Sequence, residues 1–187
     1  MFRLGLLLSF FLLLQGCLNV ATTGAGMVYN RHSLQKNIHD QYISMQAYKA
    51  LSVDDKQFAD SNISISTFNK RVLLAGEVRR PWQKIKAEEI VKQIPNVERV
   101  YNVLPISNPS STLTRISDIW LTTKIKAKLL ASDDIDGSQV KVVTENGTVY
   151  LMGTLQKYEA DAAVDLASTT DGVESVVKIF SYVKIVG

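Results

Sequence analysis

Apolar residues recur every fourth position in two separate stretches, Ile43, Ala47 and Leu51 and then Leu121, Ile125 and Leu129. That spacing marks one buried face of a helix in each stretch. Asp40 and Asp118 stand three residues ahead of these stripes, where a carboxylate is expected to favour a helix start through the unpaired N–H groups and the dipole. After each helix the period changes to two. Ile63 and Ile65 alternate with serines, and Val140 and Val142 alternate with polar neighbours, as in half-buried strands.

A second strand follows each of these, Val72-Leu73-Leu74-Ala75-Gly76 and, 77 residues later, Val149-Tyr150-Leu151-Met152-Gly153. Asn146-Gly147 is a strong hairpin turn signal, and Asn69-Lys70 is a weaker one that supplies a single residue tolerant of positive φ. Gly76 and Gly153 fall at equivalent places, where a missing side chain suggests a bulge or a close approach of backbone. A second helix is expected with inward residues Ala87, Ile90, Val91 and Ile94 in one copy and Ala163, Leu166, Ala167 and Thr170 in the other, now 76 apart. Pro95-Asn96 and Asp171-Gly172 stop these helices, and the last strands are read as Val97 to Val103 and Val173 to Ile179.

The chain therefore repeats helix, strand, strand, helix, strand. The expected fold class is α+β: two tandem αββαβ sandwich domains, each a three-stranded sheet packed by two helices. Copies of about 70 residues are small for independent folding, which leaves room for support from packing between the copies or on a partner. The expected organisation is a leader at 1–16, a lipidated N-terminus and tether at 17–39, a first domain at 40–106, a linker at 107–114 and a second domain at 115–187. The linker region carries Pro109 and serines and should permit limited relative motion.

The start of the chain changes this picture. Arg3 precedes an apolar run from Leu4 to Leu14 that is too short to span a bilayer as a permanent helix, so it reads as an export signal. Leu14-Gln15-Gly16-Cys17 resembles a bacterial lipobox, in which Cys17 would be diacylated and become the new N-terminus, with Gln15 departing from the usual residue. Each buried CH₂ contributes about 0.8 kcal/mol, so several acyl chains would hold the protein at a membrane without help from the fold. Cys17 is the only cysteine, so no disulfide can form within the chain. Leu18 after the cysteine implies, by resemblance to enterobacterial lipoproteins, passage to the outer membrane and its periplasmic face.

Charge and motifs narrow the function classes. Without Arg3 the chain holds 20 basic and 18 acidic residues, too even a balance to argue for nucleic acid. No phosphate loop, G-x-S-x-G or Cys–His pair is present, so no catalytic residue, cofactor or metal site is expected. His32 and His39 fall in the tether and read as solvated, and Asp133, Asp134 and Asp136 lack the spacing of a calcium loop and read as a solvated turn.

The better candidate is a surface. With Leu121, Ile125 and Leu129 facing the sheet, a 100° step puts Trp120 on the opposite side of the helix, near Ile116, Ile119, Thr123, Lys124 and Ala127. Lys124 and Lys128 flank that face, with stems long enough to snorkel. Tryptophan is favoured at membrane–water boundaries, and each nearby lysine gains about 1 kcal/mol against an anionic surface. Helical geometry alone leaves two occupants open, lipid or the neighbouring domain. In the first copy Tyr42 takes the corresponding place, with Met45 and Tyr48 nearby, and a weaker lipid contact is expected there. Trp82 is open among core, domain interface and partner contact.

The element order, the glycine after the second strand and the closing Val-x-x-Val resemble the BON domain, a periplasmic and membrane-associated module. Leu13-Leu14-Gln15-Gly16-Cys17, Val72-Leu73-Leu74, Val100-Tyr101-Asn102, Thr122-Thr123-Lys124 and Thr144-Glu145-Asn146-Gly147 carry a closer resemblance to dual-BON outer-membrane lipoproteins. The resemblance covers the chain from about Asp40 onward. It implies a non-enzymatic protein that binds anionic phospholipid, supports envelope integrity and works at the division site. It also implies that the Trp-x-Thr-Thr-Lys helix is the lipid-binding one, which favours lipid over a domain interface for Trp120. The alternative is an envelope adaptor that binds protein or cell-wall partners, with the Trp120 helix in a domain interface.

Overall fold

The computed structural model describes residues 38–53 and 56–183. Cys17, His32 and the leader lie outside the described residues. Helix α1 covers residues 38–48 and continues into a π-helical turn, Lys49–Val53. Strands β1 (Asn62–Phe68) and β2 (Arg71–Glu77), helix α2 (Pro81–Lys92) and strand β3 (Arg99–Asn102) complete the first module. The second module runs α3 (Thr112–Leu130), β4 (Val140–Glu145), β5 (Thr148–Leu155), α4 (Lys157–Ser168) and β6 (Ser175–Tyr182). Each module has its own three-stranded sheet, with β2 and β5 in the middle, antiparallel to the strand before and parallel to the strand after.

The helix stripes are buried as their spacing requires: Ile43, Ala47 and Leu51 in α1, and Leu121, Ile125 and Leu129 in α3, are no more than 2% exposed. Ile43, Ala47 and Leu51 pack with Val72 and Leu74, and Ile125 and Leu129 with Val149 and Leu151, on one face of each sheet. The opposite faces meet each other. Leu73 and Ala75 of β2 form a single buried cluster with Tyr150, Met152 and Ile179 of the second module, joined by Phe68, Tyr101, Val103, Val143 and Val177. Sheet lies on sheet, with a helix layer outside each. Both faces of β2 and β5 are covered, which explains why these strands are continuous apolar runs without alternation.

Polar contacts repeat across this interface with approximate two-fold symmetry. Asn69 in the first hairpin turn donates its side-chain N–H to Thr154 Oγ1 at 3.0 Å, and Asn146 in the second donates to Glu77 Oε1. Glu77 is 1% exposed and accepts a second bond from Asn62 Nδ2 at 3.0 Å, so the buried carboxylate is partnered. The expected inter-domain motion therefore meets a shared core.

Three expectations need correction. Asp40 and Asp118 do not start helices. Residues 38 and 39, read as tether, are already helical, and α3 begins at Thr112 inside the stretch read as linker. Ser111 caps α3 by accepting the Thr114 N–H at 3.1 Å, a signal that lies seven residues ahead of Asp118. The two carboxylates instead clamp the hairpin turns: Asp40 accepts the Asn69 and Lys70 N–H groups, both at 2.7 Å, and Asp118 accepts those of Asn146 at 2.8 Å and Gly147 at 3.0 Å.

Lys70 also takes positive φ, +61°, beside Asn69 at +47°, matching Asn146 and Gly147 at +49° and +70°. A two-residue turn of this hand needs both, and the clamp holds Lys70 there. The last strands start two residues later than expected, because Val97 and Val173 close turns on Ile94 and Thr170 before pairing begins. Ile94 and Thr170 thus lie beyond their helices. Of the two readings of Gly76, close approach holds: β1 and β2 pair without interruption from Asn62↔Glu77 to Phe68↔Arg71, with Asn62 O against the glycine.

Candidate functional site

Once its buried stripe is fixed against β4 and β5, α3 has no freedom in what it shows outside. Trp120 is 57% exposed, and Ile116 and Ile119 are more so. Thr123 and Ala127 are exposed beside them. The stripe runs on to Leu113 at one end and Leu130 at the other, both exposed, a span of about 25 Å at the 1.5 Å rise of a helix. Neither residue was picked out from the sequence. Leu113 falls inside the expected linker, yet the Ser111 cap and its place seven residues before Trp120, two turns away on the same face, mark it as part of the stripe.

The lysines divide into distinct roles. Lys124 Nζ lies 4.7 Å from the centroid of the Trp120 ring, a cation–π contact, and 3.9 Å from Asp171 Oδ2. Asp171 is fully solvated, so that ion pair contributes little. Lys128 donates to Thr170 Oγ1 at 2.9 Å. Lys126 turns the other way, donating to Gly137 O at 2.8 Å and Val140 O at 2.5 Å. Burial pushes its ammonium below the usual lysine range, with Asp136 opposing.

A groove between α1 and α3 is lined by Asp40, Ser44, Thr67, Lys126 and Lys141. Lys141 donates to Thr67 O at 3.0 Å and is likewise pushed down by burial, with Asp40 opposing. Both groove lysines are thus committed to backbone carbonyls, whereas Lys124 reaches over the outer surface.

The reading in which Trp120 packs against the neighbouring domain is not what the structure holds. The sheets supply the inter-module core and Trp120 stays outside it, while Ile119 and Thr123 at the flank of the face line a groove shared with Asn62 and Ser64 of β1. Trp82 is 41% exposed, its ring centroid 6.3 Å from that of the buried Phe58, which makes it neither core nor domain interface. The outer face of α1 also presents apolar residues, Ile38, Tyr42, Met45 and Tyr48, all exposed. His39 is exposed on the same helix. Among the described residues no group of three or more His, Cys, Asp or Glu side chains is arranged to hold a metal ion, and no helix is long and apolar enough to cross a membrane.

Two αββαβ modules with sheets in contact and helices outside define a tandem α+β protein whose candidate site is a surface. The BON domain family model matches residues 39–108 and 117–184, and the chain belongs to the BON-domain family. It is similar to the Outer membrane lipoprotein DolP of Haemophilus influenzae, 34% identical over 186 residues, 96% of this chain and 95% of that protein. It also resembles the 21 kDa hemolysin of Actinobacillus pleuropneumoniae (31% over 147 residues, 79% and 76% of the two chains). The Osmotically-inducible protein Y of Escherichia coli is 34% identical over 143 residues, 75% and 71% of the two chains.

Proposed function

We propose that this chain is an outer-membrane lipoprotein, anchored through Cys17, whose second BON module docks on anionic phospholipid through the outer face of α3. It performs no catalysis in this reading. Envelope support, with recruitment to the division site, follows from that docking. The observation that carries the proposal is Trp120, more than half exposed at the middle of an apolar stripe, with the Lys124 ammonium 4.7 Å from its ring. A side chain of that size left in water forgoes roughly 2 to 3 kcal/mol that an interface would return. Lys124 and Lys128 would face the headgroups, and Ile116, Ile119, Thr123 and Ala127 would lie at the acyl boundary. Similarity to a protein named an outer membrane lipoprotein over nearly the full chain supports the anchor and the location.

The experiment is vesicle co-sedimentation of the chain without its first 17 residues. Trp120→Glu should abolish binding to anionic vesicles while leaving the circular dichroism spectrum unchanged, and Tyr42→Glu should weaken it less. Undiminished binding by Trp120→Glu removes the proposed surface. The adaptor reading keeps one supporting observation, the exposed Trp82, which is not part of the α3 face.

A further inference from the structure

The duplicated helices α2 and α4 occupy equivalent places, 76 residues apart, and present opposite surfaces. On the outer face of α2 stand Trp82, Ile85, Lys86, Glu89 and Lys92; the same five positions of α4 hold Tyr158, Asp161, Ala162, Asp165 and Ser168. Between Arg79 and Lys92 five basic residues stand with two acidic ones, and over the equivalent residues 155–168 one basic stands with three acidic. The acidic side is extended by exposed Asp133, Asp134 and Asp136, a loop tied to α4 where the Asp136 N–H meets Glu159 Oε1 at 3.4 Å. Each face also carries exposed apolar area, Trp82 and Ile85 on one and Tyr158 on the other.

We infer that the basic, apolar α2 face of one copy is a docking surface for the acidic α4 face of a second copy of this chain. Charge complementarity selects that occupant. Arg79 and Lys84 remain in positive excess after the pairs Arg80–Asp60, Lys86–Glu89 and Lys92–Glu88, and on α4 Asp165 remains after Lys157–Asp161, so surfaces of opposite charge lie on the same polypeptide. The two helix layers lie on opposite outer sides of the stacked sheets, so the faces point away from each other within one copy. They cannot satisfy one another internally. A contact between two different faces does not close on itself, so the assembly is a head-to-tail string, not a two-fold dimer. Tethered copies at a membrane surface would meet at high local concentration, which favours such a weak contact.

Sedimentation velocity of the full chain in detergent tests this. At low salt the sedimentation coefficient should rise with protein concentration, and at about 1 M salt, where the Debye length is about 3 Å, the rise should vanish. Trp82→Ser with Lys86→Ser should remove it, as should Asp161→Asn with Asp165→Asn. Mixing these two variants should restore one-to-one dimers and nothing larger, because each retains one working face. A wild-type chain that stays monomeric at low salt overturns the inference, as does association that survives the α4 substitutions. If the Trp82→Ser, Lys86→Ser variant instead loses anionic-vesicle binding, the face belongs to lipid and the inference fails.

Discussion

The first module and the second are one fold written twice, and they agree where the backbone is constrained. Both bury a four-spaced helix stripe, both hold a two-residue turn with an aspartate, and both place a glycine opposite the edge strand. They differ on their outer surfaces and at their ends. Tyr42 stands where the second module has Trp120, and α2 is basic where α4 is acidic. β3 pairs over four residues and β6 over eight. The shorter strand has a local cause. Asn102 spends its side chain on Lys84 O at 2.8 Å and Glu88 Oε2 at 3.1 Å, and after it the chain rejoins the sheet only at the Val78↔Ile106 bridge. Folding requirements and surface roles are thus separable in this molecule.

The equivalent glycines should separate the modules most sharply. Gly76 has φ +94°, and an added Cβ would lie 2.2 Å from Asn62 O, in the backbone of the paired strand. Gly153 takes an ordinary φ, and its Cβ would stand 3.0 Å from Gln139 O. Gly76→Ala should cost about 3 kcal/mol or more, since the strained φ and the clash add, and Gly153→Ala about 1 kcal/mol. Urea midpoints measure both. Equal costs would mean that the two glycines do not differ in role.

The aspartate clamps come next. Asp118 is 5% exposed, so Asp118→Ala leaves two turn N–H groups without a partner where water has little access, at about 3 kcal/mol. Asp40 is only half-buried, and water can replace it, so Asp40→Ala should cost about 1 kcal/mol. Amide hydrogen exchange should show the loss of protection at Asn146 and Gly147 in the first variant and at Asn69 and Lys70 in the second. Protection unchanged at these amides would dismiss the clamp.

Fold class and strand order were legible because periodicity reports burial directly. The Leu121, Ile125, Leu129 stripe alone put Trp120 on the outer side. Helix starts were not legible from a carboxylate ahead of a stripe, because the same signature arises when the carboxylate reaches sideways to a turn that is 28 residues away in sequence. The sheet-on-sheet packing was also hidden. Continuous apolar strands such as Val72-Leu73-Leu74-Ala75 show that both faces are covered, but not by what. From the sequence Trp120 therefore has two candidate neighbours; in the fold the inter-module core comes from the sheets, and Trp120 stays exposed.

The smallest effect concerns Glu145, whose equivalent in the first module is Phe68. Burial raises the Glu145 carboxyl above its ordinary value of 4.5; the Ser64 hydroxyl and Arg115 pull it down, and the Asp118 and Glu77 charges add to the rise. A group raised in the folded state holds its proton where the unfolded chain has lost it. Unfolding free energy therefore falls as pH climbs from 4.5 to the raised value, and is level above it. Glu145→Gln mimics the protonated form. The difference in stability between variant and wild type should be near zero in acid, grow through that window and then hold steady in the variant's favour. Asp60, lowered chiefly by the Gln83 hydrogen bond, and Glu88, lowered chiefly by Lys92, lose stability in acid, but they do so in both proteins and cancel from the difference. Denaturant titrations from pH 3 to 8 would trace the curve. A flat difference would show that the second module tolerates its interface carboxylate as easily as the first accommodates its phenylalanine.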